Sequence, residues 1–583
     1  MMISGVISIV ITWFILFVIF CGIGLSIQRL FGVKNQGVEF LLSAFWVGWA
    51  YVIMMQQIWH LLAPVDLKAT VCVLILGMAG AIWNRDRFAQ LFVIDMVPKI
   101  KFSIVMCLFA LLLANRAMGG FESFHGDQGL YHLSVIQWGS SYPIIPGLGN
   151  LHFRLAFNNS YFLYLSLLDV SPWTHMSNHI GIGLLLFVFS LQIGLSVSKV
   201  IRNSNRVQTY DIFRILLIIP VLYYYFRNAF DPSPDIAVIL LSMLIGIELC
   251  KLLFISKYTK SDVAYGTFFI IALSAIGISI KLSFIIIGCA SSFVALGKYL
   301  VCRFDYNTRD KTRKEMLWIL GSLILVLVPW TARGVILSGY AAFPSVVPAF
   351  NVEWKIPPEK AVYESKKVRS WARQPKASSD EVLASWRWLL PWLKRSLISR
   401  WLFNFWAPLF LSIIGFAMVV YRRNIRDPDF VFDILFLLPA FMALVFWFFM
   451  APDPRFIVGA IWYLGAGSLA VAFRRYGLQK YPKVLTSFLK ASFGVAILIC
   501  GGLLFLESKR STFAEIVRLH GFGHNPKTEL SRFVTTSGLT LYSPDEKGLC
   551  WWAELPCTPY PKANLRLRKN GDIKSGFLVS PNE

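Results

Sequence analysis

The sequence predicts an all-α polytopic membrane protein of about fourteen transmembrane helices, closed by a small α/β domain at its C-terminus. Three observations predict it. Of 583 residues, 56% are hydrophobic and 15% charged, and the mean hydropathy is +0.60. That balance is foreign to a soluble domain of this length. Apolar runs near 5–28, 40–62, 69–84, 102–117, 177–198, 213–226, 236–254, 264–280, 282–301, 317–338, 402–421, 431–450, 456–473 and 484–506 mostly reach bilayer length. Finally, the short loops at 29–34, 85–101, 199–214, 251–260, 298–314, 422–426 and 474–483 hold 26 Lys/Arg, whereas the alternate turns at 62–68, 227–235, 281 and 450–455 hold four.

That asymmetry assigns the basic loops to the cytoplasm and explains the net charge of +24 by topology and anionic-lipid contact, excluding nucleic acid as the partner. The first run carries no charge before Arg29 and has no small-residue cleavage site, so 5–28 reads as a retained helix. Four spans then lead to an outer segment, 119–176. Within it YHLSVIQWGSSY reads as an amphipathic helix lying at the interface, and YFLYLSLLDV (161–170) is too short to span, so it is re-entrant or interfacial. Six spans follow, then a second outer loop, 339–400, with five Trp and eleven Lys/Arg, then four more spans. The domain division is 1–506 in the membrane and 507–583 outside it. Seven of the nine cysteines sit in or beside apolar spans. Cys550 and Cys557 stand together in the tail, where an outer location predicts a disulfide; a zinc site would need two further ligands, and none stand nearby.

Candidate chemistry concentrates in 119–160. Glu122, His125, Asp127, His132, His152 and Arg154 crowd beside membrane spans, where a bare charge costs several kcal/mol. Asp127, with Glu122 near it, is the candidate general base for an acceptor hydroxyl: if a phosphate leaves, it needs no protonation and one carboxylate suffices. A helix N-cap is the bland alternative for Asp127. His125 and His132 read as substrate contacts, and a loop folding Glu122, His125, Asp127 and His132 around a divalent metal stays open. His175 and His179, one helical turn apart, could also pair on a metal, though a solvated helix start is the simpler reading. Arg154, Lys281, Arg333 and Arg455 fall near outer helix ends, where Lys/Arg are otherwise scarce and where they suit phosphate; snorkelling to headgroups is the alternative. Asp235 either holds an acceptor or caps the helix beginning at Ile236, with capping the simpler reading.

The pieces GDQGLYH, PIIPGLGNLHFRLAFNNS, SPDIA, IKLS, TARGVILSGY, APDPRF and PCTPYP resemble those of a bacterial multispanning family related to the GT-C superfamily of membrane glycosyltransferases. The resemblance implies an inverting glycosyltransferase at the periplasmic face of the bacterial inner membrane. Its donor would be a polyprenyl-phosphate sugar and its acceptor a cell-envelope glycan or lipid. It places the base at Asp127, with Glu122 nearby, and phosphate contacts at Lys281, Arg333 or Arg455. Two further classes compete: a transporter or flippase of lipid-linked glycans, and a protein of the O-antigen polymerase or ligase type. A non-catalytic envelope scaffold is the last.

Overall fold

The computed structural model describes residues 2–33, 37–89, 97–119, 126–202, 207–255, 258–303, 309–398, 401–421, 429–477, 487, 522–523, 526, 528–545 and 548–580. Long helices dominate: α1 (Met2–Leu30), α2 (Val38–His60), α3 (Leu67–Trp83), α4 (Val97–Ala117), α5 (Leu133–Ser141), α6 (Asn178–Arg202), α7 (Thr209–Leu216), α8 (Ile218–Asn228), α9 (Pro234–Phe254), α10 (Lys260–Ile280), α11 (Ile285–Arg303), α12 (Arg309–Ser338), α13 (Pro358–Arg373), α14 (Ala407–Tyr421), α15 (Asp429–Met450) and α16 (Val458–Arg475). Among the described residues nine helices are long and apolar enough to cross a membrane. The chain is thus a helical membrane protein, but a count of fourteen does not follow. The run at 213–226 falls within two short helices that meet at Leu217, 69–84 and 102–117 form shorter apolar helices, and 484–506 lies almost wholly outside the described residues.

Small residues set the helix spacing where dispersion has to replace the hydrophobic effect. A Cβ on Gly24 would stand 1.8 Å from the Ala44 carbonyl oxygen, and one on Gly48 the same distance from that of Phe20, so α1 and α2 touch backbone to backbone. The segment 161–168 is a buried helix packed within the protein, with the Ser160 and Ser279 hydroxyls 2.7 Å apart.

The two ends of the bundle differ. At one end Arg214 grips Glu39 with two bonds of 2.6 and 2.8 Å, Lys251 joins Glu39 and Glu248, Lys199 bonds Asp211, and Arg474 and Arg475 share Asp433. Arg303 and Glu315 pair there as well. At the opposite end the segment 126–160 caps the bundle: Ile144 N donates to the His60 carbonyl, Gly147 N to that of Ile336, and Ser160 N to that of Ser279. The C-terminal residues pack on this cap as two antiparallel ladders, β1 (Leu530–Val534) with β2 (Thr540–Pro544) and β3 (Leu565–Leu567) with β4 (Phe577–Val579). Lys562 and Asn150 tie the ladders to the cap, Lys562 Nζ reaching the Asn150 carbonyl at 2.6 Å and Asn150 Nδ2 reaching that of Phe577 at 3.1 Å. Strand is the only regular structure of length there among the described residues, so the tail is a sheet region and its expected helical part is not seen in them. Cys550 and Cys557 form the expected disulfide.

Candidate functional site

Asp127 stands just before a single π-helical turn, Gln128–His132, that runs on into α5. Its carboxylate makes no cap bond, so the N-cap alternative does not describe it. Instead Arg154 donates to one oxygen and Arg455 Nη1 approaches the other at 3.4 Å. Arg154 comes from the short helical turn Phe153–Ala156 and lies over the Tyr131 ring. Arg455 comes from the turn between α15 and α16. There Asp453, preceding Pro454, accepts from both the Arg455 backbone N–H at 3.1 Å and its Nε at 3.3 Å, which aims the guanidinium.

Lys281 adds a third cation. It ends α10, bonds Asp235 and sits 4.6 Å from the Phe456 ring centroid. Asp235 does not cap α9; Ser233 holds that place and accepts from the Asp235 N–H at 3.4 Å. The Asp235 carboxylate is thereby left for Lys281. Nearby, buried Asp231 accepts from Ser233 N, Asn228 Nδ2 and Gln128 Nε2, tying the turn before α9 to the π turn beside Asp127. Four distant stretches of chain (127–132, 154, 231–281 and 453–455) therefore meet at one end of the bundle. The side chains there are partly wet: 30% exposed at Asp127 and Arg154 and 45% at Arg455.

Electrostatics keeps the carboxylate ionised. Burial pushes Asp127 up, but Arg154 first, then His132, Arg455 and Lys281, pull harder, and the net lies below the usual aspartate value. His132 goes the other way: burial brings it down to about 4, only partly opposed by Asp127, so it is neutral near pH 7. Below the mouth formed by Asp235, Lys281 and Arg455 lies a narrow cleft of about 60 Å³ that opens to solvent. Its walls come from α9, α11, α15 and α16 and are apolar, with Val238, Ile239, Ile287, Phe446 and Trp447 among them.

Other sequence candidates stand elsewhere. Glu122 and His125 lie outside the described residues. Arg333 is 4% exposed, pairs with no described carboxylate, and leaves Nε and Nη1 without hydrogen-bond partners; it lies within electrostatic reach of His60, not in the Asp127 cluster. His152 faces Tyr560, His175 faces Trp552, and His179 bonds the carbonyls of Ala117 and Gly523, so His175 and His179 do not converge. Among the described residues no three His, Cys, Asp or Glu side chains could hold a metal ion. The Trp-rich loop reaches the site. Trp371 lies over Arg455, while Trp386, Trp388 and Trp392 stack on one another and on Phe448, and Trp392 Nε1 bonds the Pro452 carbonyl. Sequence reasoning missed Asp453, although the Asp-Pro pair in APDPRF was a readable capping signal. Asp231, in the same outer turn as Asp235, and Trp371, one of the five Trp of the loop 339–400, were visible in the sequence, but their partners were not.

Residues 6–462 match the model of a family described as a domain of unknown function, DUF8201. No curated protein and no solved structure matches the chain.

Proposed function

The chain belongs to the DUF8201 family, and from the geometry of its site we propose that it is a membrane glycosyltransferase. It moves a sugar from a polyprenyl-phosphate donor to a glycan or lipid acceptor of the cell envelope, at the periplasmic face of the bacterial inner membrane. One observation carries the reading: Lys281 and Arg455 stand at the mouth of an apolar cleft, and Arg455 reaches from there to the ionised, partly wet carboxylate of Asp127. A lipid phosphate needs that combination, with hydrocarbon below and cations at the rim.

In this reading the acceptor hydroxyl oxygen bonds to the anomeric carbon of the sugar. The bond from that carbon to the donor phosphate oxygen breaks, its electron pair leaves with the phosphate, and the hydroxyl proton passes to Asp127. A carboxylate held below its usual pKa is a weak base. It suffices because the hydroxyl turns acidic only as the new bond forms. Arg455 and Lys281 neutralise the departing phosphate, and Arg154 positions Asp127. No step requires a metal.

The test is Asp127→Asn, an isosteric change, in proteoliposomes supplied with polyprenyl-phosphate hexoses and pentoses and an envelope-glycan extract. Transfer falls by roughly 10²–10⁴-fold while thermal unfolding in detergent stays unchanged; near-normal turnover overturns the assignment. A transporter of lipid-linked glycans is the second reading. Arg333 and His60 favour it, as buried groups inside the bundle whose ring and guanidinium nitrogens are partly or wholly unpaired. It requires that Asp127→Asn leave no transfer defect and that Arg333→Gln abolish movement of a labelled lipid-linked sugar across the bilayer.

A further inference from the structure

We propose that a second cavity, at the far end of α5 from Asp127, is a carbohydrate subsite that holds one sugar of a glycan acceptor several units away from the reacting hydroxyl; this rests on the glycosyl-transfer reading. The cavity has a volume of about 380 Å³, within the range of roughly 300–1,000 Å³ typical of small-molecule sites. Asp66, Gln137, Ser140, Asp169, His175 and Trp552 carry its polar and aromatic lining.

Three features select the ligand class. The described lining holds two carboxylates, an amide and several hydroxyls but no Lys or Arg, so a phosphate or other anion is unwelcome. Oxygen-rich acceptors of this kind suit a neutral ligand that brings many O–H donors. Second, Gln137 Oε1 is buried without a hydrogen-bond partner. Such an acceptor costs about 1–3 kcal/mol, a cost relieved when the amide turns its oxygen into the cavity and a ligand hydroxyl donates to it. Third, an aromatic wall is built there deliberately. Asp169 accepts the His175 backbone N–H at 2.5 Å, holding His175 at φ +64°, an uncommon conformation for a residue with a Cβ, and the imidazole lies 4.8 Å from the Trp552 ring. Apolar C–H faces of a sugar ring need such a wall. A bound cation is less suited, since no three metal-ligating side chains come together among the described residues.

The subsite is tied to the reacting centre by one rigid element. Trp552 lies inside the loop closed by the Cys550–Cys557 disulfide. The preceding residue, Trp551, donates its N–H to the Gly129 carbonyl at 2.9 Å, and its ring covers Gly129 so closely that a Cβ there would meet it at 2.6 Å. The disulfide loop thus docks beside Asp127 and presents Trp552 at the other end of the same helix. Gln137 follows Asp127 by ten residues, which is roughly 15 Å of helix at 1.5 Å per residue. A glycan lying along α5 can fill both places at once.

The experiment measures binding of detergent-purified full-length protein to a printed array of bacterial surface oligosaccharides of defined structure, with spermidine as a competing amine. Wild type binds a subset of oligosaccharides; Trp552→Ala and Gln137→Leu, each checked for an unchanged melting temperature, weaken that binding at least tenfold. Gln137→Leu is the variant of record if Trp552→Ala unfolds. Absence of oligosaccharide binding by wild type, indifference to both substitutions, or displacement by spermidine at equal concentration overturns the subsite. An Asp127→Asn protein that still transfers sugar while these binding results hold defeats the catalytic reading alone.

Discussion

The two ends of the helix bundle carry similar sets of charged residues and use them in opposite ways. At the end rich in Lys and Arg, the pairs are shut away: the side chains of Arg214 and Asp211 are fully buried, and those of Arg303 and Glu315 are 3% and 4% exposed. Every cation named there has a carboxylate, and bidentate geometry at Arg214 and Glu39 leaves little to exchange. At the Asp127 end the pairs are wetter, Lys281 and Asp235 22%, Asp127 and Arg154 30% and Arg455 45% exposed, and they open on a cleft. An exposed ion pair is worth about 0–1 kcal/mol, so an incoming phosphate can displace it at small cost. A buried pair cannot be broken so cheaply. The same residue types therefore act as rivets at one end and as a ligand-exchangeable rim at the other.

The sharpest way to break this comparison is to remove one partner at each end. Arg214→Ala removes a fully buried side chain and leaves Glu39, a quarter exposed, with only Lys251 and Lys199, and the loss is expected at about 3 kcal/mol, the lower end for a broken buried pair. It should appear as a large drop in melting temperature or as failure to accumulate in the membrane. Asp127→Asn, at the looser end, should move the melting temperature little while abolishing transfer. Equal destabilisation by the two changes would show that both ends are structural.

A smaller effect probes the rim itself. Arg455→Ala and Lys281→Ala should each raise the donor KM by about 10–100-fold, the worth of one or two charge-assisted hydrogen bonds. Arg455→Lys should recover little, because Asp453 and Trp371 hold a planar guanidinium that an ammonium does not replace. If KM is unmoved and only stability falls, the cations at this end are rivets too.

How much of this arrangement could be read from the chain follows the same division. Long-range features with a period or a composition were legible: the membrane helices, the alternation of basic loops, the disulfide from two isolated cysteines, and the crowding around Asp127. Lys281 and Arg455 were legible as exceptions, single cations in turns that otherwise avoid them. Pairing was not. Asp235 looked like a helix cap because it follows Ser233 and Pro234, yet those two residues start α9 unaided and release the carboxylate to Lys281, which lies on a different helix. Arg333 looked like a rim cation for the same reason as Arg455. Its helix runs one turn further past it, to Ser338, and that turn together with the segment 142–149 buries it. The run at 213–226 looked like one span because apolar composition is blind to the break at Leu217 between α7 and α8. The tail was least legible, since strands of three to five residues leave almost no periodic signal.

The smallest predicted effect separates the ends by acidity. The five described histidines all lie toward the Asp127 end, and His132 and His152 are buried neutral, with pKa values brought down to about 4 and about 3 mainly by burial. An unfolded histidine protonates near 6.5, so below that pH the unfolded chain binds protons that the folded one refuses. Stability therefore stays flat above about pH 6.5 and falls as the pH drops toward 4. At pH 5.5 the loss is about 1.4 kcal/mol for each of the two residues. Melting temperatures at pH 7 and 5.5 should thus converge in His132→Gln and His152→Gln variants but stay apart in Arg214→Ala, should that variant fold. A pH dependence undiminished by either histidine change would show that His132 and His152 do not carry the acid sensitivity, and would remove this measure of the contrast between the two ends.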